Sequence, residues 1–267
     1  MKIKTPAKVT PLLHILRKRN DGFHELYMHM VPVNLFDTLS FRKNNVGRLN
    51  FRMDSEDFNE LSENNLVVKA VRLFEKTTGI IVNLDITLTK NIPSRSGLGG
   101  GSGNAAGTLK VLNHIFRREM SLSSGLLSQK KLFELAMELG SDVPFFLEPY
   151  PCEIRGRGEL LTPLIRYPKF MLVIIKPYLS ISTGDAYLKC IPEEQNCFPE
   201  IRTHIDLKNN LKNNFESSLL SQYAILKELK SLLIQNGAFG ALVSGSGSAV
   251  FGIFNKKEQQ KQAYKNL

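Results

Sequence analysis

The sequence predicts a globular fold of mixed helices and strands, built as one large domain or as two closely joined lobes. Three observations carry that expectation. The chain has 267 residues, 42% of them hydrophobic and 22% charged, enough apolar side chain to bury a sizeable core. Segments with a two-residue apolar period alternate along the chain with segments of helical period. No repeat, low-complexity tract or linker-like stretch separates them, so the lobe boundary is placed near residues 148–152, giving lobes 1–150 and 151–267.

The elements follow in order. Residues 3–16 mix extended character with Pro6 and Pro11, which predicts strand and turn. Leu66, Ala70, Leu73 and Phe74 fall on one helical face, and Gly79 stands where a C-terminal cap belongs, so 64–78 is predicted helical. Ile80 to Leu88 alternates apolar and polar as a strand with one buried face. A glycine-rich loop over 94–103 precedes a helix whose apolar stripe is Ala105, Leu109, Leu112 and Phe116. Leu132, Leu135, Ala136 and Leu139 predict a helix over 128–139, ended by Gly140. Phe170 to Ile175 is a buried strand closed by Pro177. One long helix is predicted over 217–235, then a strand, a second Gly/Ser loop at 244–248, a strand over 249–254, and a solvated Lys/Gln-rich tail helix.

Charge and cysteine content narrow the function classes. Thirty-five Lys+Arg against 25 Asp+Glu leave a net +10, which favours anionic partners such as nucleotides or phosphorylated metabolites, although basic residues scattered by composition bias would give the same total. No polybasic arm or base-reading surface is evident, so no nucleic-acid partner is expected. Cys152, Cys190 and Cys197 show no CxxC spacing, which argues against a disulfide framework or a zinc site. With no long apolar run, no membrane partner is expected, and a cytoplasmic protein, monomer or weak dimer, is the expectation.

The strongest local feature is Gly97-Leu98-Gly99-Gly100-Gly101-Ser102-Gly103-Asn104. Five glycines in seven residues let the backbone take positive φ and approach a ligand closely, and the helix that follows adds the positive end of its dipole. That is a cradle for phosphates; a flexible turn is the plainer alternative. A Walker A loop needs Gly-Lys-Ser/Thr, which is absent. Residues 101–106 match GxGxxA, but the loop is separated from the preceding strand by 90–96 and no acid follows at the distance that would hold a ribose. His-Arg-Asp and Asp-Phe-Gly are absent, which excludes a protein kinase.

Several blocks resemble the GHMP kinase family. Pro6-Ala7-Lys8-Val9 resembles its N-terminal block, Pro93 to Ala106 its ATP-phosphate loop, and Val243-Ser244-Gly245-Ser246-Gly247-Ser248 its C-terminal glycine block. Asp21 to Leu26, Leu139 to Leu147, Gly156-Arg157-Gly158-Glu159 with Leu161-Thr162-Pro163, and Asn213 to Glu216 are similar to the branch that phosphorylates a cytidyl-diphosphate sugar alcohol of non-mevalonate isoprenoid synthesis. The likeness runs over about residues 4–254.

The resemblance implies a two-lobe α+β GHMP kinase fold with the active site in the cleft between lobes. It also implies transfer of the γ-phosphate of ATP, with Mg²⁺, to the 2-hydroxyl of that small-molecule acceptor. Asp142 is then the base that takes the hydroxyl proton, and Lys8 the electrostatic partner that keeps the carboxylate ionised. By position alone, Asp142 reads first as a turn residue or N-cap, while Lys8, flanked by Pro6 and an apolar run, stands in an unusual place for the alternative of a snorkelling surface lysine. The nucleotide is assigned Asn65, Leu66, Lys90, Pro93, Gly97, Leu98, Gly99, Gly100, Gly101, Ser102, Gly103 and Asn104, with Lys90 alternatively an exposed strand-end lysine. The acceptor is assigned Thr10, Phe23, His24, Asp142, Thr183 and Tyr187. Phe23 and Tyr187 would enclose the pyrimidine while His24 reads its edge; a core aromatic and a surface histidine are the plain alternatives. No metal-ligand set can be named, and His14, His29, His114 and His204 carry no assigned chemistry.

Three departures from the family pattern stand out. Thr10 replaces a carboxamide, Gly103 replaces a serine of the phosphate loop, and Phe23 stands where tyrosine is common. A different small alcohol as acceptor, or a nucleotide- or nucleic-acid-binding module without catalysis, are the alternatives these leave open.

Overall fold

The computed structural model describes residues 1–54, 63–119 and 126–267. The chain divides into two compact units, each discontinuous in sequence: residues 1–7, 33–94 and 99–149 form the first, and 8–32, 95–98 and 150–267 the second. Strands β1 (Lys2–Lys18) and β2 (His24–Lys43) contribute residues to both. Pro6 and Pro11 do not interrupt β1, contrary to the turn expected there. A proline's fixed φ lies within the extended range, and its missing N–H removes only a ladder bond.

In the first unit, β3 (Asn50–Asp54), β4 (Leu84–Thr89), β2 and β1 follow one another in the sheet. β4 runs antiparallel to β2, from Thr38 opposite Thr89 to Lys43 opposite Leu84, and parallel to β3. Helices α1 (Leu66–Thr78), α2 (Gly100–Glu119) and α3 (Gln129–Leu139) pack against one another. Asn65 caps α1 by accepting the Val67 N–H, and Gly79, at φ 71°, ends it. Val67, Val68, Ala70, Val71 and Phe74 form its buried stripe.

Two boundaries differ from the sequence reading. The strand expected from Ile80 begins at Leu84, because the Val82 N–H donates to the carboxylate of Glu75 on α1 and leaves the ladder. Helix α2 begins at Gly100, so Gly100 to Gly103 lie in its first turn and the loop is shorter than its glycines suggest. The stripe read for α2 holds: Ala105, Leu109, Leu112 and Phe116 are buried.

In the second unit, β5 (Cys152–Gly156) pairs antiparallel with β2 and with β6 (Leu160–Pro163). β8 (Lys212–Asn213) lies parallel to β1. A separate antiparallel sheet has β10 (Val250–Phe254) between β7 (Met171–Ile175) and β9 (Gly240–Val243). Helices α4 (Thr183–Lys189) and α5 (His204–Asn209) precede β8.

The long helix expected over 217–235 is two helices, α6 (Glu216–Gln222) and α7 (Ala224–Gln235), broken at Tyr223. The physical reason is the ion pair between Glu216 and Lys230. Fourteen residues of continuous helix would separate these side chains by about 21 Å, so the chain must turn back between them. α7 packs on β9 and β10, and α8 (Lys257–Asn266), the solvated tail helix, packs on β7.

Candidate active site

In the first unit, the residues flanking the glycine-rich loop are organised by a carboxylate that the sequence reading did not single out. Asp37 is fully buried on β2. Its Oδ2 accepts from Lys90 Nζ at 2.6 Å and from Asn104 Nδ2 at 2.8 Å, and its Oδ1 accepts the backbone N–H groups of Asn91 and Ile92, both at 2.8 Å. The other end of the Asn104 amide accepts the Thr5 hydroxyl at 2.6 Å. One carboxylate thus fixes the segment leading into the loop to the first turns of α2. Lys90 is not the exposed strand-end lysine offered as an alternative; its side chain is 11% exposed and ion-paired.

The first turn of α2 presents what an anion needs. Its leading N–H groups have no intrahelical acceptor, it carries no acidic residue, and Gly99 enters it at φ 71°. The glycines are spatially required. A Cβ at Gly100 would stand 2.9 Å from Ile92 and 3.1 Å from Lys90 Nζ, and one at Gly101 3.3 Å from Leu66. At Gly103, where a serine was expected, a Cβ would come within 3.1 Å of the Pro6 carbonyl. The departure therefore matches a locally tight approach of α2 to β1. Asn65 caps α1, Pro93 is exposed, and Asp142 is half-buried in the turn between α3 and a short 3-10 helix, Pro144–Leu147.

In the second unit, Lys8 is buried at 4% exposure, which removes the surface-lysine alternative. Its Nζ donates to the hydroxyl of fully buried Thr10 at 3.2 Å. It also lies so near Gly245 that a Cβ there would be 3.3 Å from it. Its backbone N–H donates to the Leu98 carbonyl at 2.9 Å. Gly97, at φ 75°, lies directly on the second glycine block: an added Cβ would be 1.9 Å from the Ser244 carbonyl oxygen. The Ser244 hydroxyl donates to the Gly97 carbonyl, and the Ala249 N–H to that of Ser96. Buried Asn213 holds the same block, donating to the carbonyls of Val243 and Gly245, both at 2.8 Å. The Thr183 hydroxyl meets that of Ser246 at 2.9 Å.

His24 and Tyr187 stack with ring centroids 4.9 Å apart, and Phe215 meets Tyr187 edge-on. Burial, with a smaller push from Lys18, holds the His24 imidazole below its ordinary pKa. Phe23, at the β1–β2 turn, is exposed, with the Arg157 guanidinium over its ring. One face of Tyr187 thus carries His24, and Phe23 is supported by a cation.

Residues 65–148 match the GHMP kinases N-terminal domain, and 193–267 the GHMP kinases C-terminal domain. The chain is 39% identical to the 4-diphosphocytidyl-2-C-methyl-D-erythritol kinase of Syntrophus aciditrophicus, over 98% of this chain and 93% of that one. It is 36% identical to the enzyme of the same name from Thermodesulfovibrio yellowstonii, over 98% and 92%. The chain belongs to the 4-diphosphocytidyl-2-C-methyl-D-erythritol kinase family of GHMP kinases.

A crystal structure of 4-(cytidine 5'-diphospho)-2C-methyl-D-erythritol kinase superposes on this GHMP kinase with a TM-score of 0.80 at 30% identity, covering all of this chain and 94% of the other. The two-lobe α+β expectation agrees with that match and with the paired N- and C-terminal GHMP domains. The protein is accordingly a phosphotransferase, and GHMP kinases take their phosphate from ATP. No helix among the described residues is long and apolar enough to cross a membrane.

For this GHMP kinase, the sequence reading missed Asp37, Asn213 as a loop anchor, and Arg157. Asp37 left one trace: it is in phase with Leu39 and Phe41, the buried face of its strand.

Proposed function

We propose that this kinase moves the γ-phosphate of ATP onto the 2-hydroxyl of 4-diphosphocytidyl-2-C-methyl-D-erythritol, a step of non-mevalonate isoprenoid precursor synthesis. The observation that carries the reading is the burial of Lys8 between Thr10 and the Gly245 backbone. A lysine withdrawn from water there is placed for charge stabilisation rather than for solubility.

Phosphoryl transfer requires positioning and charge neutralisation more than covalent chemistry. The N–H groups of the α2 first turn, from Gly99 through Ser102, receive the nucleotide phosphates. Leu66 packs against that turn, while Asn65 and Lys90 act by fixing α1 and the loop approach, since their side chains already serve the α1 cap and Asp37. Asp142 takes the proton of the acceptor hydroxyl as it attacks, and Lys8 offsets negative charge on the reacting oxygens. Phe23, His24 and Tyr187 receive the cytosine, with Thr183 and Thr10 as hydroxyl contacts to the acceptor.

Among the described residues no group of three or more His, Cys, Asp or Glu could hold a metal ion. A Mg²⁺ ion would arrive with the nucleotide and keep phosphate and water ligands.

The test is ADP release from Mg·ATP with and without the cytidyl acceptor. A large acceptor-dependent rate is expected. A flat trace from folded, ATP-binding protein overturns the acceptor assignment and leaves a GHMP kinase for another alcohol.

A further inference from the structure

The Gly156-Arg157-Gly158-Glu159 turn has no role in the chemistry described above, yet its construction is specific. The Arg157 N–H donates to the Glu159 carboxylate at 2.6 Å, and the Gly158 N–H to the Arg155 carbonyl at 3.3 Å. Gly156 takes φ 73°, and a Cβ there would stand 2.5 Å from the Glu159 carboxylate. Glycine is thus required beneath the acid that folds the turn. What this turn presents is Arg157, whose guanidinium carbon sits 4.7 Å from the centroid of the Phe23 ring.

The other partner is held just as firmly. Phe23 follows the Asp21-Gly22 turn, with Gly22 at φ 85°. Its N–H donates to Asp21 Oδ1 at 3.1 Å, and its carbonyl accepts the Arg19 N–H at 2.8 Å. The Arg19 side chain pairs with Asp21 at 3.0 Å and Glu25 at 2.9 Å. Both backbones are therefore set before any ligand arrives, and only the exposed ring of Phe23 needs a support.

We infer that Arg157 is a positioning residue for the acceptor: its cation covers Phe23 and holds the ring in the orientation that stacks on the pyrimidine. The inference rests on the cytidyl assignment proposed above. A planar guanidinium suits this task, because it lies flat on an aromatic face and presents a cation to the ring's electron-rich side. Holding the ring in advance removes part of the ordering cost that binding would otherwise incur.

The experiment is a double-mutant cycle on the full chain, using Arg157→Met, Phe23→Leu and the pair, with Arg157→Lys as the variant that keeps the charge without the planar group. Two readouts are taken: steady-state kinetics with the cytidyl acceptor, and calorimetric binding of cytidine 5'-diphosphate, which does not depend on turnover. Arg157→Met should raise the acceptor KM and the cytidine diphosphate Kd roughly two- to fivefold, leaving kcat and the ATP KM unchanged. Arg157→Lys should recover only part of the loss, since the ammonium keeps the charge but not the flat stack, and Arg157→Met should cost nothing further in the Phe23→Leu background.

An equal loss with or without Phe23 overturns the inference, since Arg157 would then act alone. So does a fall in kcat or ATP affinity matching the rise in acceptor KM, which marks a structural effect. Wild-type turnover, measured first, decides the acceptor assignment separately. If turnover fails but the diphosphate binds, the binding cycle still decides the role of Arg157. If no variant and no wild-type protein binds it, the inference falls with the assignment.

Discussion

Removing the Asp37 carboxylate should destabilise the first unit more than any surface change could, and removing Lys90 as well should cost less than the two separate losses added together. Asp37 is fully buried and accepts four hydrogen bonds, one of them from an ammonium group whose side chain is 11% exposed. Asp37→Ala leaves that ammonium without its counter-ion in a dry site, a change that costs about 3–5 kcal/mol when a buried pair loses one member. The orphaned N–H groups of Asn91 and Ile92 bring the total toward the upper end of that range, each worth on the order of 1 kcal/mol or more. Lys90→Met is milder, about 1–3 kcal/mol, because three donors to Asp37 remain. In the double variant no charge is stranded, so its loss should fall short of the sum by roughly 1–3 kcal/mol.

The assay is urea and thermal unfolding followed by far-ultraviolet circular dichroism on all four proteins, paired with ATP binding. Asp37→Ala should lower the melting temperature by about 8–15 °C at the usual 2–4 °C per kcal/mol for chains of this size. It should also weaken ATP binding, because Lys90 and Ile92 lie against Gly100 in the first turn of α2 and Asn104 is anchored one turn further on. Strictly additive stabilities across the cycle would refute the reasoning, for then the pair and its neighbours do not act through one buried charge.

Asp142→Asn should lower kcat by roughly 10²–10⁴ with the ATP KM unchanged, and near-full turnover in steady-state assays would remove it from the proton transfer. Gly97→Ala must place a Cβ 1.9 Å from the Ser244 carbonyl at φ 75°. The left-handed strain alone costs about 1–3 kcal/mol, so a melting curve equal to that of the unaltered protein would contradict the close approach of the two glycine blocks. His29 supplies a pH test: burial holds its imidazole down to about 4 from the ordinary 6.5, outweighing the nearby Glu153, with His14 adding to the depression. Its stabilising effect is complete above the unfolded value, near 6.5, where both states are neutral. It declines as pH falls toward about 4, because the unfolded chain takes up the proton first. The total is about 3 kcal/mol, so melts at pH 7.5 and 5 should differ, and His29→Gln should flatten the slope to the part left by His14 and His24, whose imidazoles burial also depresses, with Lys212 and Lys18 adding to it. An unchanged slope would exclude His29 as its source.

Much of the fold was legible because it follows local rules. The Gly79 stop of α1 and the α2 stripe through Phe116 are set by neighbours within a few residues, whereas of the α1 stripe read as Leu66, Ala70, Leu73 and Phe74 only Ala70 and Phe74 are buried, beside Val67, Val68 and Val71. Where the reading failed, a distant partner decided the backbone. Val82 surrenders its N–H to a Glu75 side chain, and the Glu216–Lys230 pair turns one helical pattern into two helices. Neither choice has a periodic trace. A propensity argument sees only that 217–235 favours helix, which is true of both halves.

The site divides in the same way. The glycines of 97–103 announced a close approach, but not to what: the atom that excludes a side chain at Gly97 belongs to Ser244, 147 residues onward. The burial of Lys8 likewise depends on Thr10 and on Gly245. Asp37 shows what a closer reading can recover. A carboxylate in register with Leu39 and Phe41 faces the same buried side of the strand, where it is tolerated only if several donors converge on it. Sequence alone thus marks the position as a hub and leaves its donors to be found. Those donors, Lys90, Asn91, Ile92 and Asn104, lie on both sides of the glycine-rich loop. The segment before the glycine-rich loop and the start of α2 are therefore held together by a residue outside every motif, one buried aspartate.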